Sequence, residues 1–351
     1  MKRLLPLVLA LPMLAVVSCS QPEYKLTTSF ADEAQNGQTI YLIDYDKGDT
    51  IDSAVVVDKQ VVFQGTVEKA YMARLLASGS RATFMLEPGE LSLDWENKTV
   101  SGGAFNDSIQ AMEEERNNLL KGLNDQLTDT LLTDDQKKEA VDQYEETQIN
   151  AYYKHYELNK DNAFGWFAYY YYLLEQPKTF DELKAELQTA PAGYSESVRI
   201  ARLLKTAENL ELTKEGMKMV DFTVKNVDGT EVKLSDYVGK GDIVVVDFWA
   251  SWCSPCRREC NTTLKDIHAK YDGKGLKILG VAVWDKVEDT DKAIEEMELP
   301  WAQIKNAQYI ASDAYGFNSI PHIIVFSGDG TILSRGLHGD DLKAKVDELM
   351  Q

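Results

Sequence analysis

The run Ile243-Val244-Val245-Val246-Asp247-Phe248-Trp249 is apolar throughout except for one carboxyl, and Cys253-Ser254-Pro255-Cys256 follows close behind it. A short β-branched run without alternation reads as a strand buried on both faces of a sheet. Pro255 suits a first helical turn, where its missing N–H would find no partner in the helix anyway, so a helix is expected over residues 254–271. A strand that delivers a Cys-x-x-Cys to a helix start has a chemical consequence. Backbone N–H groups and the helix dipole at that end favour a thiolate on Cys253, and only a thiolate attacks a disulfide. Cys256, one turn on, is placed to release the mixed disulfide that results.

The surrounding pattern is α/β. Phe222-Thr223-Val224, Asp228-Gly229 and Val232-Lys233-Leu234 read as a hairpin. Strands are expected at 276–283, 322–326 and 331–335, with helices near 290–297 and 340–350, which gives a mixed sheet. Ahead of this region, after a short tether at 20–25, the chain alternates in β fashion. The alternating segments are Thr39-Ile40-Tyr41-Leu42-Ile43, Ala54-Val55-Val56-Val57, Val61-Val62-Phe63, Thr83-Phe84-Met85-Leu86 and Leu91-Ser92-Leu93-Asp94-Trp95. Turn residues separate them, so a small antiparallel β sandwich is expected, and it holds no catalytic constellation. A helical region follows to residue 212. Its segment Phe164-Gly165-Trp166-Phe167-Ala168-Tyr169-Tyr170-Tyr171-Tyr172-Leu173-Leu174 is apolar on nearly every side, as in a buried packing helix, with an aromatic partner surface as the alternative. The expected organisation is therefore 1–19, 20–103, 104–212 and 217–351.

The first of these segments has the layout of a secretory signal: Lys2 and Arg3, then an apolar run over 4–17. That run is shorter than the roughly 20 apolar residues a membrane span requires. Its closing segment, Val16-Val17-Ser18-Cys19, resembles the lipobox of bacterial lipoproteins. The resemblance implies that Cys19 becomes an acylated N-terminus, and several acyl chains on one residue anchor stably where a single chain binds only reversibly. A plain secreted protein that loses Cys19 on cleavage is the alternative. Of the four cysteines, the remaining three lie within 253–260, which is no disulfide framework. A net charge of -20 argues against a nucleic-acid partner, since phosphate binding needs a basic excess.

The stretch Val245-Val246-Asp247-Phe248-Trp249-Ala250-Ser251-Trp252-Cys253-Ser254-Pro255-Cys256-Arg257 resembles the active-site signature of thioredoxin-like proteins. Three features bring it nearer the TlpA/ResA-like envelope thiol-disulfide oxidoreductases. They are the hairpin with Asp221-Phe222-Thr223, Asp228-Gly229 and Leu234-Ser235-Asp236, then Arg257-Arg258-Glu259, and finally Tyr315-Gly316-Phe317-Asn318-Ser319-Ile320-Pro321. The resemblance covers about residues 217–351 and implies a thioredoxin fold. The region before it is similar to the N-terminal halves of many Gram-negative lipoproteins of this type, which implies no activity. Residue by residue, the resemblance implies that Cys253 and Cys256 form the redox-active disulfide. It makes Asp247 the buried acid that shuttles the second cysteine's proton, and Pro321 a cis-proline facing the disulfide. It also makes the backbone of Ile320 the edge that pairs with an extended client. The residues agree on Asp247, because a carboxyl inside an apolar strand is costly to bury charged and should hold its proton near neutrality. Trp252 is expected as an exposed aromatic beside Cys253, or as a packing residue.

The family further implies a reductant of cysteines in exported envelope proteins, fed by a membrane thiol reductase, with oxidase or isomerase activity left open. The chemistry calls for no cofactor and no metal. This chain departs from its relatives at Cys260-Asn261, where they commonly carry Met-Pro, so the usual helix-kinking proline is absent. Cys260 reads either as a small buried hydrophobe or as a third redox thiol competing for Cys256, although helical geometry makes a disulfide to it doubtful. His322 reads as a tuning residue or as part of a strand. Three rivals remain. Cys253, Cys256, Cys260 and His268 could supply four zinc ligands, although one helix bearing all four would be an unusual site. A peroxidase would need Pro and Thr or Ser where Val246 and Ala250 stand. An adaptor lipoprotein would dock its client through the N-terminal region.

Overall fold

The computed structural model of the chain describes residues 22–77, 79–176 and 178–351. The expected signal 1–19 and the lipidation site Cys19 lie outside the described residues. Two compact units are present, the first ending at Glu175 and the second beginning at Gln176.

The first unit contains β1 (Glu23–Ser29), β2 (Thr39–Asp44), β3 (Thr50–Val55), β4 (Gln60–Thr66), β5 (Tyr71–Ala77), β6 (Ser80–Leu86), β7 (Gly89–Asp94) and β8 (Thr99–Ser101). They form two four-stranded sheets, ordered β4-β1-β7-β8 and β3-β2-β5-β6. Alternation along the strands turns Leu26, Leu42, Phe63, Phe84 and Leu91 into one shared core. Pairing is antiparallel except between β1 and β7, which run parallel because a long crossover rather than a hairpin joins them. The expected tether at 20–25 already enters β1 at Glu23, where alternate residues Tyr24 and Leu26 are buried.

Three helices complete this unit: α1 (Ala104–Thr128), α2 (Asp134–Leu158) and α3 (Ala163–Leu174). Helix α2 starts at a reciprocal cap in which Thr133 and Gln136 satisfy each other's backbone N–H groups. In α3 the Asn162 side chain accepts from the N–H groups of Phe164 and Gly165. Phe164, Phe167, Tyr169, Tyr170 and Tyr172 of α3 are buried, with Tyr169 stacked obliquely on Tyr156 of α2 at 4.6 Å between ring centres. The aromatic segment is thus a packing helix.

The second unit begins with α4 (Phe180–Leu187) and α5 (Val198–Leu212), so these two helices of the 104–212 stretch fall with the C-terminal fold. The hairpin β9 (Thr223–Lys225) and β10 (Glu231–Lys233) follows, then β11 (Ile243–Trp249) and α6 (Ser254–Glu259). A π-helical turn over Cys260–Leu264 leads into α7 (Lys265–Tyr271). The chain closes with β12 (Leu276–Ala282), α8 (Val287–Met297), β13 (Ala302–Ile304), α9 (Ile310–Tyr315), β14 (His322–Phe326), β15 (Ile332–Arg335) and α10 (Gly339–Leu349).

The five-stranded sheet is ordered β13-β12-β11-β14-β15, with β11 at its centre, parallel to β12 and antiparallel to β14. Because side chains alternate, Val244, Val246 and Phe248 pack into one core while Val245 and Trp249 pack into the other, together with Cys256 and Cys260. This explains why β11 reads as continuously apolar. The absent proline does not leave an uninterrupted α-helix, since the π turn occupies its place. Helix α5 approaches Gly316, whose φ is +64°; a Cβ there would stand 2.5 Å from the Thr206 carbonyl oxygen. Arg335 ties the same region together, its guanidinium donating to the carbonyls of Thr213 and Tyr315.

Candidate active site

Cys253 caps the N-terminus of α6, and Cys256 sits in its first turn. The two are disulfide-bonded, with Cα atoms 5.3 Å apart. The Cys256 N–H donates to Sγ of Cys253 at 3.2 Å, the contact that a helix N-terminus offers a thiolate. Both cysteines are buried, Cys253 with 4% of its surface exposed and Cys256 with none, so Cys253 is the nearer of the two to solvent. Trp252 beside it is 61% exposed, and its indole N–H donates to the Trp284 carbonyl at 3.1 Å. The Ile320–Pro321 peptide bond is cis, and the Ile320 carbonyl oxygen lies 3.9 Å from Sγ of Cys253.

Asp247 projects to the disulfide side of β11 and is fully buried. Burial pushes its carboxyl up to about 7; a hydrogen bond from Cys260 works against this, and the charge of Glu259 adds to it. Cys260 donates its S–H to Oδ2 of Asp247 at 3.2 Å. Burial first, and then the neighbouring Asp247, push the Cys260 thiol far up, so it is neutral. A fully buried thiol turned toward a carboxyl is disfavoured as a thiolate, the form that would compete for Cys256. Cys253 and Cys256 thus share one turn with the Ile320–Pro321 bond beside them, and Asp247 lies on the same face of β11, where its hydrogen-bond partner is Cys260 rather than either sulfur of the disulfide.

A supporting network was not legible in the sequence. Asp285, almost wholly buried, accepts from the Ser251 N–H at 2.6 Å and the Ser251 hydroxyl at 2.9 Å. It also accepts from Thr290 and from the N–H of Lys286. Gln308 holds the Asp285 carbonyl, and Trp284 takes a left-handed φ of 55°. The loop after β12 therefore fastens the loop that carries Trp252 and Cys253. On the other face of β11, His322 stacks on Phe317 at 4.6 Å, and its Nε2 lies 3.1 Å from Arg335. Arg335 can only donate, so Nε2 accepts and the ring is neutral. Burial, followed by the charge of Arg335, holds its pKa near 3. His322 is a strand residue in an aromatic stack.

The four residues of the zinc alternative do not converge. Cys253 is bonded to Cys256, Cys260 faces Asp247, and His268 lies against Trp301. No group of three or more His, Cys, Asp or Glu side chains among the described residues is placed to hold a metal.

A mixed sheet with a central strand that delivers a helix-capping dithiol, opposite a cis-proline, defines a thioredoxin-fold domain built for thiol-disulfide exchange. Comparison with known proteins places it further. Residues 216–335 match the AhpC/TSA family, and residues 24–109 match a domain of unknown function, DUF4369. The thiol-disulfide oxidoreductase ResA of Geobacillus thermodenitrificans is 28% identical over 137 residues, covering 38% of this chain and 77% of the relative. That of Oceanobacillus iheyensis is 34% identical over 118 residues, covering 32% of this chain and 59% of the relative. The solved thioredoxin domain of a thiol-disulfide oxidoreductase from Bacteroides vulgatus is 32% identical, covers 39% of this chain and 99% of its own, and superposes with a TM-score of 0.35. The chain is a thiol-disulfide oxidoreductase of the ResA/TlpA-like group, with an AhpC/TSA-family thioredoxin domain at its C-terminus. Its substrates are cysteine-containing proteins.

Proposed function

We propose that the enzyme reduces disulfides in exported proteins and that Cys253 is its nucleophile. The observation that carries this reading is the placement of Cys253: a helix N-cap receiving the Cys256 N–H, with the Ile320 carbonyl 3.9 Å away. The Cys253 thiolate attacks a client disulfide; one client sulfur leaves as thiolate and the other stays bonded to Cys253. Cys256 then attacks Sγ of Cys253, the mixed disulfide breaks, and the Cys253–Cys256 bond forms while the client departs reduced. Asp247, its pKa near 7, accepts the proton Cys256 must lose. An extended client segment pairs with the backbone at Ile320, beside Pro321 and under Trp252, which admits many sequences because backbone bonds carry little sequence preference.

The same reading places the enzyme in a bacterial envelope, anchored through acylated Cys19 and facing the periplasm. A membrane thiol reductase would return two electrons to the Cys253–Cys256 disulfide. Among the described residues no helix is long and apolar enough to cross a membrane. The proposed β region is 20–103; of the helical stretch 104–212, α1 to α3 stay with it in the first unit while α4 and α5 group with the redox domain.

Redox equilibration with glutathione tests the direction. A potential near that of thioredoxin, about -270 mV, is expected of a reductant, whereas one near -120 mV would make the enzyme an oxidant.

A further inference from the structure

The two oxygens of Asp247 stand in unlike settings. Oδ2 accepts the Cys260 thiol at 3.2 Å, whereas Oδ1 is buried with no hydrogen-bond partner among the described residues. The residues paired with Asp247 on the adjacent strands, Gly280 and Ile323, bring no polar side chain of their own; the Gln303 amide fills the space over Gly280, its Oε1 accepting from the Trp249 indole and its Nε2 without a partner among the described residues. Cys260 opens the π turn one helical turn beyond Cys256 and is itself fully buried.

Other charged groups on the elements packed over this face are engaged elsewhere. Glu259 accepts from the Gly339 N–H at 2.8 Å, and its charge opposes that of Asp247. Lys265 of α7 donates to the Met297 carbonyl, and Lys343 of α10 pairs with Asp266 and Asp340. From β14, His322 pairs with Phe248 and so lies on the opposite face. Among the described residues, Cys260 is therefore the one side chain that hydrogen-bonds the carboxyl.

We infer that Cys260 is a positioning residue for the resolving step, its thiol pinning Oδ2 of Asp247 so that Oδ1 is the oxygen that receives the proton of Cys256. This rests on the reading of Asp247 as the base for Cys256. Through the step the Cys256–Cys253 bond forms, the Cys253–client bond breaks, and the client leaves as thiolate. The Cys256 proton ends on Oδ1, and Cys260 keeps its own proton. A donor on Oδ2 stabilises the carboxylate, so it widens the pH range over which Asp247 can act as a base.

Single-turnover kinetics test this. Reduced protein is mixed with an aromatic disulfide that releases thionitrobenzoate in two phases, the first from attack by Cys253 and the second from resolution by Cys256. The second phase is followed against pH. Cys260→Ala moves its acid limb upward by about half a pH unit or more. Cys260→Ser, which keeps an O–H donor, returns the limb to the native position or below. In an Asp247→Asn background, Cys260→Ala produces no further shift. If Asp247→Asn alters the limb while folded Cys260→Ala and Cys260→Ser proteins keep the native profile, Cys260 is only a packing residue and the inference is overturned. A limb that Asp247→Asn leaves unchanged removes the base itself, and the inference falls with it.

Discussion

The backbone N–H of Ser251 donates to Oδ2 of Asp285 across 2.6 Å, tying the loop before the dithiol to the loop after the neighbouring strand. Three more donors converge on the same buried carboxylate: the Ser251 hydroxyl, the Thr290 hydroxyl and the Lys286 N–H. Truncation leaves several of them buried and unpaired, so Asp285→Ala should cost about 2–4 kcal/mol in denaturant unfolding. The exchange rate with client protein should fall as well, because the loop carrying Trp252 loses its fastening. A variant of native stability would show that the network holds nothing in place.

Asp247 gives the enzyme an unusual pH dependence of stability. Its ordinary value is 3.8 and its folded value about 7, so the folded protein retains a proton that the unfolded chain releases. Stability from this group is therefore highest below pH 4, falls as pH rises through 4–7, and stays low above that. At 1.36 kcal/mol per pH unit, the gap amounts to on the order of 4 kcal/mol. Asp247→Asn should remove the slope, leaving the oxidised variant more stable than the native protein at pH 8 and losing that advantage near pH 4. Parallel unfolding curves at the two pH values would contradict the assignment.

Gly316 sits in the left-handed region where helix α5 comes closest to the chain before the cis-proline. Gly316→Ala adds a Cβ that meets backbone atoms of Thr206 and Leu210, which cannot yield as a side chain would. A loss of about 2 kcal/mol or more is expected in thermal or denaturant unfolding. An unchanged transition would mean that α5 does not pack there in solution.

Trp252 separates recognition from chemistry. Its exposed ring is held by a single hydrogen bond to the Trp284 carbonyl. Removing an aromatic contact worth about 1 kcal/mol should raise KM for a protein disulfide roughly five-fold in Trp252→Ala. The reaction with a small aromatic disulfide, which reaches Cys253 directly, should change little. Equal losses on both substrates would make Trp252 a structural residue instead.

The sequence reveals the redox centre because its chemistry is local. Cys253, Pro255 and Cys256 share one turn, and Asp247 stands out in β11 because a strand buried on both faces leaves no other reason for a carboxyl. What joins distant parts of the chain is not legible in this way. Asp285 meets Ser251 across 34 positions, and Arg335 meets Thr213 across 122. No local pattern marks either as anything but a surface charge. Strand β5, Tyr71–Ala77, is likewise hidden, since its burial does not alternate strictly. The π turn at Cys260 occurs without the proline that would have announced a break in the helix. Helices α4 and α5 read as part of the helical region that follows the sandwich, and only their docking on the redox domain assigns them to the second unit.

Identifying the cysteine that forms the mixed disulfide tests the central claim most directly. Cys256→Ser and Cys253→Ser proteins are incubated with a disulfide-bearing peptide, and the adducts are located by mass spectrometry. The account predicts a single adduct on Cys253 in the Cys256→Ser protein, released by excess dithiol, and none in Cys253→Ser. An adduct forming on Cys256 or Cys260 at a comparable rate when Cys253 is absent would contradict it.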